Sequence, residues 1–257
     1  YLTADNRQEL AECYDRHLER TNGLLELPPH VLDSLFSDPA FRIVGYRESG
    51  LLRGYLIFRF EPAPGDNWLV NNIQLRTLVY DDSSALAALL GFLRKQADQV
   101  GRIIYETQDA TFHYLLRDPR DESGNLLAGL WHQSNTQGMG IMYRVIDVRR
   151  LFAVLRDHDF GDVTARVRLN LTDTFVPENS GSYLLAVKNG RAELAMSGAA
   201  DVEVEMDIAD FSSLVVGAVD FSRLHAYGRA TLSDPALVPT VNRLFHADIP
   251  PWCLTSF

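Results

Sequence analysis

The chain has 257 residues, of which 46% are apolar, and a formal net charge of −10. That length and composition suit one large domain or two ordinary ones with real cores, and exclude a disordered chain. The negative charge argues against a nucleic-acid partner and permits a cationic one, and no run of about 18 apolar residues is present to span a membrane.

In chain order, Leu10, Tyr14, His17 and Leu18 share one face of a predicted helix from Asp5 to Arg20, which Asn22-Gly23 ends. Pro28-Pro29 turns the chain into a short amphipathic segment around Val31, Leu32, Leu35 and Phe36. Strands Phe41–Arg47 and Leu52–Phe58 form a hairpin at Glu48-Ser49-Gly50. After the break at Pro62-Ala63-Pro64-Gly65, Trp68 to Tyr80 is predicted as one long strand. Asp82-Ser83-Ser84 then caps a helix whose stripe is Leu86, Leu89, Leu90, Leu93, Ala97 and Val100, with Gly101 ending it. Arg102–Thr107 follows as a strand, so this stretch is a βαβ unit with parallel flanking strands. A charged loop, Arg117–Gly124, leads to Gly138-Met139-Gly140 and a predicted strand at Ile141–Val145.

From Asp147 the pattern changes. Asp147 caps a helix that turns Val148, Leu151, Phe152 and Leu155 inward, and Val163 to Leu171 alternates strictly as a strand. Asn189-Gly190 joins Tyr183–Lys188 to Arg191–Met196 as a hairpin. Val202, Val204 and Met206 alternate with Glu203, Glu205 and Asp207, three carboxylates read as a solvated face rather than an acid/base set. Asp207 then caps Ile208–Val216, which stops at Gly217, and Asp220 caps Phe221–Tyr227, which Gly228 ends. After a strand at Arg229–Leu232, Ser233-Asp234-Pro235 opens a helix with Leu237, Val238, Val241, Leu244 and Phe245 on one stripe. The patterns predict an α/β domain over residues 1–146 and an α+β domain over 147–257, closing in the apolar tail Ile249–Phe257.

Chemistry is sparse. At the βαβ corner, Tyr80-Asp81-Asp82-Ser83-Ser84 offers two carboxylates and no glycine where an anion would sit, so no cofactor-binding residue is assigned. The seven histidines have no catalytic or zinc spacing, and Gly-x-Ser-x-Gly is missing. Cys13 and Cys253 make neither a metal-ligand spacing nor a disulfide framework, so no metal is assigned and a reduced cytoplasmic setting is expected. Tyr1–Asp5 has no basic or apolar region of a secretory signal, which leaves the Asn170-Leu171-Thr172 sequon without weight. One group stands out: the terminal carboxylate of Phe257. Ile249, Trp252, Leu254 and Phe257 give the tail enough apolar surface to dock, although chain ends ordinarily fray. A carboxylate delivered to a partly desolvated cleft has a raised pKa and can act as a general base.

Val202–Asp207, Asp210-Phe211, the Gly228 turn and Ser233-Asp234-Pro235-Ala236-Leu237 resemble the sterol carrier protein type 2-like domain. Gly140-Ile141-Met142-Tyr143-Arg144-Val145-Ile146-Asp147-Val148-Arg149-Arg150-Leu151 is similar to the junction that introduces this domain in the enhanced intracellular survival (Eis) acetyltransferases. The hairpin and βαβ unit before it resemble that family's second, degenerate GNAT domain. The resemblance implies acetyl-CoA held by an upstream GNAT domain, a cationic amine substrate of aminoglycoside or lysine type, homo-oligomers, and Phe257 as the terminal general base. The Arg/Gln-x-x-Gly-x-Gly/Ala cofactor loop is missing and the chain opens without methionine, so it is expected to be the C-terminal two-thirds of such an enzyme, inactive alone. A lipid- or acyl-binding module and an oligomerisation scaffold are the alternatives.

Overall fold

The computed structural model describes residues 1–64, 70–127, 129–138 and 140–254. The chain forms two compact units, one of Tyr1–Met139 with Trp252–Phe257 and one of Gly140–Pro251.

In the first unit a 3-10 turn, Ala4–Asn6, leads into α1 (Arg7–Glu19), and Pro29 opens α2 (Pro29–Ser37). β1 (Phe41–Glu48) and β2 (Leu51–Pro62) form the expected hairpin, with Ser49 at φ 52° and Gly50 at φ 83° supplying the two left-handed residues of its turn. β3 (Asn71–Tyr80) pairs antiparallel with β2. It then crosses through α3 (Ser83–Arg94) to β4 (Val100–Tyr105), which lies parallel to it. The sheet order is β1-β2-β3-β4. Both faces are buried, which is why Tyr55-Leu56-Ile57-Phe58 reads as a continuous apolar run. Ile43, Tyr55, Ile57 and Val79 meet Leu10, Cys13, Leu32 and Leu35, while Val44, Leu56, Phe58 and Ile73 meet Leu89 and Leu93 of α3. A two-residue ribbon follows, β5 (Leu126–Leu127) with β6 (Trp131–His132).

Two boundaries differ from expectation. The α3 helix ends at Arg94, and Val100 and Gly101, read as its last turn and stop, belong to β4. Parallel pairing sets Val100 beside Asn71, and the chain reaches that register only by leaving the helix through successive turns over 95–99. For the long strand, Trp68 lies outside the described residues and β3 begins at Asn71.

In the second unit Asp147 accepts the Arg150 backbone N–H at 2.9 Å and starts α4 (Val148–Val154). β7 (Ala165–Thr172), β8 (Gly181–Lys188) and β9 (Arg191–Ala195) are successive antiparallel neighbours, with Asn189 at φ 50° and Gly190 at φ 74° turning the last hairpin. β10 (Val202–Asp207) returns parallel to β7 and pairs with β11 (Ala230–Leu232), giving the order β11-β10-β7-β8-β9. Helices α5 (Ile208–Val215), α6 (Phe221–Ala226) and α7 (Val238–Phe245) pack their apolar stripes with α4 into one core, centred on the fully buried Phe211 and Phe221. Gly228, at φ 70°, ends α6 as expected, and the Arg229 N–H closes back on the Leu224 carbonyl at 2.8 Å. Asp220 makes no side-chain cap; its carboxylate pairs with His246 at 3.0 Å instead.

The expected strand at Ile141–Val145 is an irregular connector. Side chains replace the ladder: the Val145 N–H donates to Ser212 Oγ at 2.8 Å, and Arg144 pairs with the buried carboxylate of Asp173. Burial still alternates, with Val145 in the core and Met142 91% exposed, but these residues have no ladder partner. Among the described residues no helix is long and apolar enough to cross a membrane.

Candidate functional site

The chain returns to the first unit at Trp252. The Trp252 N–H donates to the Asn22 carbonyl at 2.8 Å, just beyond α1. Gln108 then takes both backbone groups of Cys253: its Oε1 accepts the N–H at 3.0 Å and its Nε2 donates to the carbonyl at 2.8 Å. Leu254 packs against the core cluster of Leu10, Leu32 and Leu35. Phe257, the terminal residue expected to carry the chemistry, lies outside the described residues, as do Thr255 and Ser256.

Local structure explains the seat. The spacing of Leu10, Tyr14 and His17 turns one face of α1 inward. The Tyr14 hydroxyl donates to the Leu25 carbonyl at 2.7 Å and braces the segment that carries Asn22. The β3–β4 ladder ends at Leu75 and Tyr105 although β3 runs on to Tyr80. The loop leaving β4 presents Gln108, with the Asp109 N–H donating to Thr107 Oγ1 at 3.1 Å.

His17 lies beneath Trp252, the two rings edge to face with centroids 6.2 Å apart. It is 7% exposed, and neither ring nitrogen has a hydrogen-bond partner. Burial pushes its pKa down to about 4, and the Arg20 charge acts in the same direction. Burial, then the Asp81 charge, lift the Cys13 thiol to about 11, and burial lifts the Tyr14 phenol to about 12. At neutral pH all three groups are therefore uncharged, and Cys13 is no nucleophile. Because the unfolded chain binds a proton at His17 near pH 6.5 and the folded chain only near 4, stability is full above about pH 6.5 and falls as pH drops toward 4. Urea unfolding at pH 7.5, 5.5 and 4.5 is expected to show a shallower acid loss for His17→Leu than for the parent protein. Equal slopes would mean that His17 is protonated in the folded state.

At the βαβ corner both carboxylates have partners within the protein. The Asp82 carboxylate already accepts the Ala85 N–H at 2.9 Å at the start of α3, where an anion would dock. Beside it Asp81, with its side chain 5% exposed, faces Arg16 at 3.0 Å, Arg53 at 3.6 Å and Arg20 at 3.7 Å. These guanidinium groups are turned to the protein: Arg16 also donates to the Leu52 carbonyl, and Arg20 to the Tyr80 and Asp81 carbonyls. The arrangement is a structural ion cluster.

Apart from His17, the histidines are exposed or half-buried. Glu203, on the solvated face of β10, pairs with Arg168 at 3.3 Å. What sequence reading missed is the seat itself. His17 on an apolar helical face was a visible signal; Gln108 had none, being separated from Cys253 by 145 positions.

Comparison with known proteins gives a consistent picture. A profile described as an acetyltransferase (GNAT) domain matches residues 28–145, and one described as a sterol carrier protein domain matches residues 151–254. Proteins named N-acetyltransferase Eis from Mycobacterium bovis and Mycobacterium tuberculosis are 28% identical over 253 residues, covering 96% of this chain and 56% of theirs. The chain thus spans little more than half the length of these curated relatives. Among solved structures, a GCN5-related N-acetyltransferase from Anabaena variabilis superposes with a TM-score of 0.73 at 19% identity, over 100% of this chain and 61% of that one. Eis1 from Mycobacterium abscessus does so with a TM-score of 0.67 at 22% identity, over 98% and 60%. The chain is thus a GNAT domain followed by a sterol carrier protein-like domain, and over nearly its whole length it is similar to the proteins named N-acetyltransferase Eis.

Proposed function

We propose that this chain is the C-terminal portion of an Eis-like, acetyl-CoA-dependent N-acetyltransferase that acts on amines of aminoglycoside or lysine type. In this reading residues 1–146 are a degenerate GNAT-like domain without a cofactor site, and residues 147–257 are the sterol carrier-like domain with its tail. Acetyl-CoA is held by an upstream GNAT domain outside this chain, while this portion forms the acceptor cleft and supplies the Phe257 carboxylate as general base. The observation that carries the proposal is the anchored tail: Trp252, Cys253 and Leu254 are tied to the first unit by backbone hydrogen bonds and core packing. A tail held this way delivers a carboxylate to one place, where it attracts a cationic amine and accepts its proton. The carboxyl group needs a raised pKa for that task, which partial desolvation provides.

The seat and the βαβ corner divide the labour consistently, since the corner offers an anion two carboxylates. The protein comprising residues 1–257 alone is expected to show no acetyl transfer from acetyl-CoA to an amine, and addition of the upstream GNAT domain is expected to create it. Appreciable transfer by residues 1–257 would overturn this division of labour. Cytoplasmic residence and self-association complete the reading, and light scattering tests the second. A lipid- or acyl-binding role for the second unit gains no support from its interior, where the rings of Phe152, Phe160, Phe211 and Phe245 meet tilted or edge to face at centroid distances of 6.2–6.3 Å.

A further inference from the structure

A general base at a chain end is useful only if the end has one register. The backbone advances about 3.4 Å per extended residue, so a slip of one position in the tail displaces the carboxylate by that much. A misplacement of about 1 Å is enough to cost on the order of 100-fold in rate. The apolar contacts of Trp252 and Leu254 are non-directional and tolerate sliding. The paired hydrogen bonds at Cys253 do not.

A primary amide carries an acceptor and a donor side by side. Gln108 directs both at the N–H and C=O of the same residue, at 3.0 and 2.8 Å, as a residue of a neighbouring strand would. Its own place is set by the end of β4 and the Thr107–Asp109 turn. We propose that Gln108 is the positioning residue of the C-terminal tail, fixing through Cys253 the register at which the terminal carboxylate is presented. The catalytic consequence rests on the assignment of Phe257 as general base; the clamp does not.

The experiment therefore has two arms. Hydrogen exchange at the Cys253 amide reads the clamp directly, and steady-state kinetics of the intact enzyme read its consequence. In Gln108→Ala the Cys253 amide is expected to exchange at least about 10-fold faster, with exchange in β1–β3 unchanged. The kcat is expected to fall about 10- to 100-fold while the KM for acetyl-CoA stays the same, a split that general loss of structure does not produce. Gln108→Glu, which keeps the acceptor for the Cys253 N–H but loses the donor to its carbonyl, is expected to lower kcat likewise. In an enzyme extended by one residue beyond Phe257, Gln108→Ala is expected to cause no further loss, because both changes act through one carboxylate. Unchanged exchange at Cys253 would overturn the clamp, and unchanged kcat in an enzyme that the extension inactivates would overturn its positioning role. If the extended enzyme keeps full activity, the general-base assignment fails instead; the exchange rate then judges the clamp alone, faster exchange supporting it and unchanged exchange refuting it.

Discussion

Extending the chain by a single residue after Phe257 is expected to lower kcat of the intact enzyme by at least about 100-fold, with no measurable change in thermal stability. The new residue converts the Phe257 carboxylate into an amide, which cannot take up a proton from an ammonium group, and moves the charge about 3.4 Å further along the chain. The extension leaves in place the anchoring contacts of the described tail residues Trp252, Cys253 and Leu254. Amidation of the terminus separates the two causes, since it removes the charge without lengthening the backbone by a residue. Equal loss from amidation and extension assigns the effect to the charge. Full activity in both would reduce the tail to packing, and the chain's contribution to chemistry would have to be sought elsewhere.

Replacement of Phe211 by alanine is expected to destabilise the second unit by about 3–5 kcal/mol and to lower its Tm by more than about 10 °C. Phe211 is fully buried and lies 6.2 Å from Phe152 and 6.3 Å from Phe245 between ring centroids. Removing its ring leaves a cavity that neighbours held by five strands and four helices cannot close. The size of the effect also weighs the two functional readings. A domain shaped around a lipid tunnel tolerates an enlarged cavity and takes up more ligand, so a loss below about 1 kcal/mol together with co-purified acyl chains would favour carriage. A large loss with no bound lipid is the behaviour of a scaffold whose core is its own side chains.

Local periodicity and local capping determined much of this protein. The alternation of Val167, Leu169 and Leu171 described β7, and Asp82, Asp147, Asp207 and Asp234 all accept a backbone N–H at the helix or turn starts expected of them. Asn189-Gly190 turned its hairpin because both residues tolerate positive φ, a property of the residues themselves. The parallel β3–α3–β4 unit was legible for the same reason, since it follows from neighbouring elements and a handedness rule. Tertiary structure alone decided the rest. Val100 and Gly101 joined β4 because pairing with Asn71 outweighed a helical stripe, and Ile141–Val145 lost its strand to partners at Ser212 and Asp173. The candidate site belongs to this second class. An apolar tail signals that it will dock, because burial energy depends on composition and has no direction; where it docks depends on Asn22, His17 and Gln108, which the fold brings to one place from α1, its exit and the end of β4.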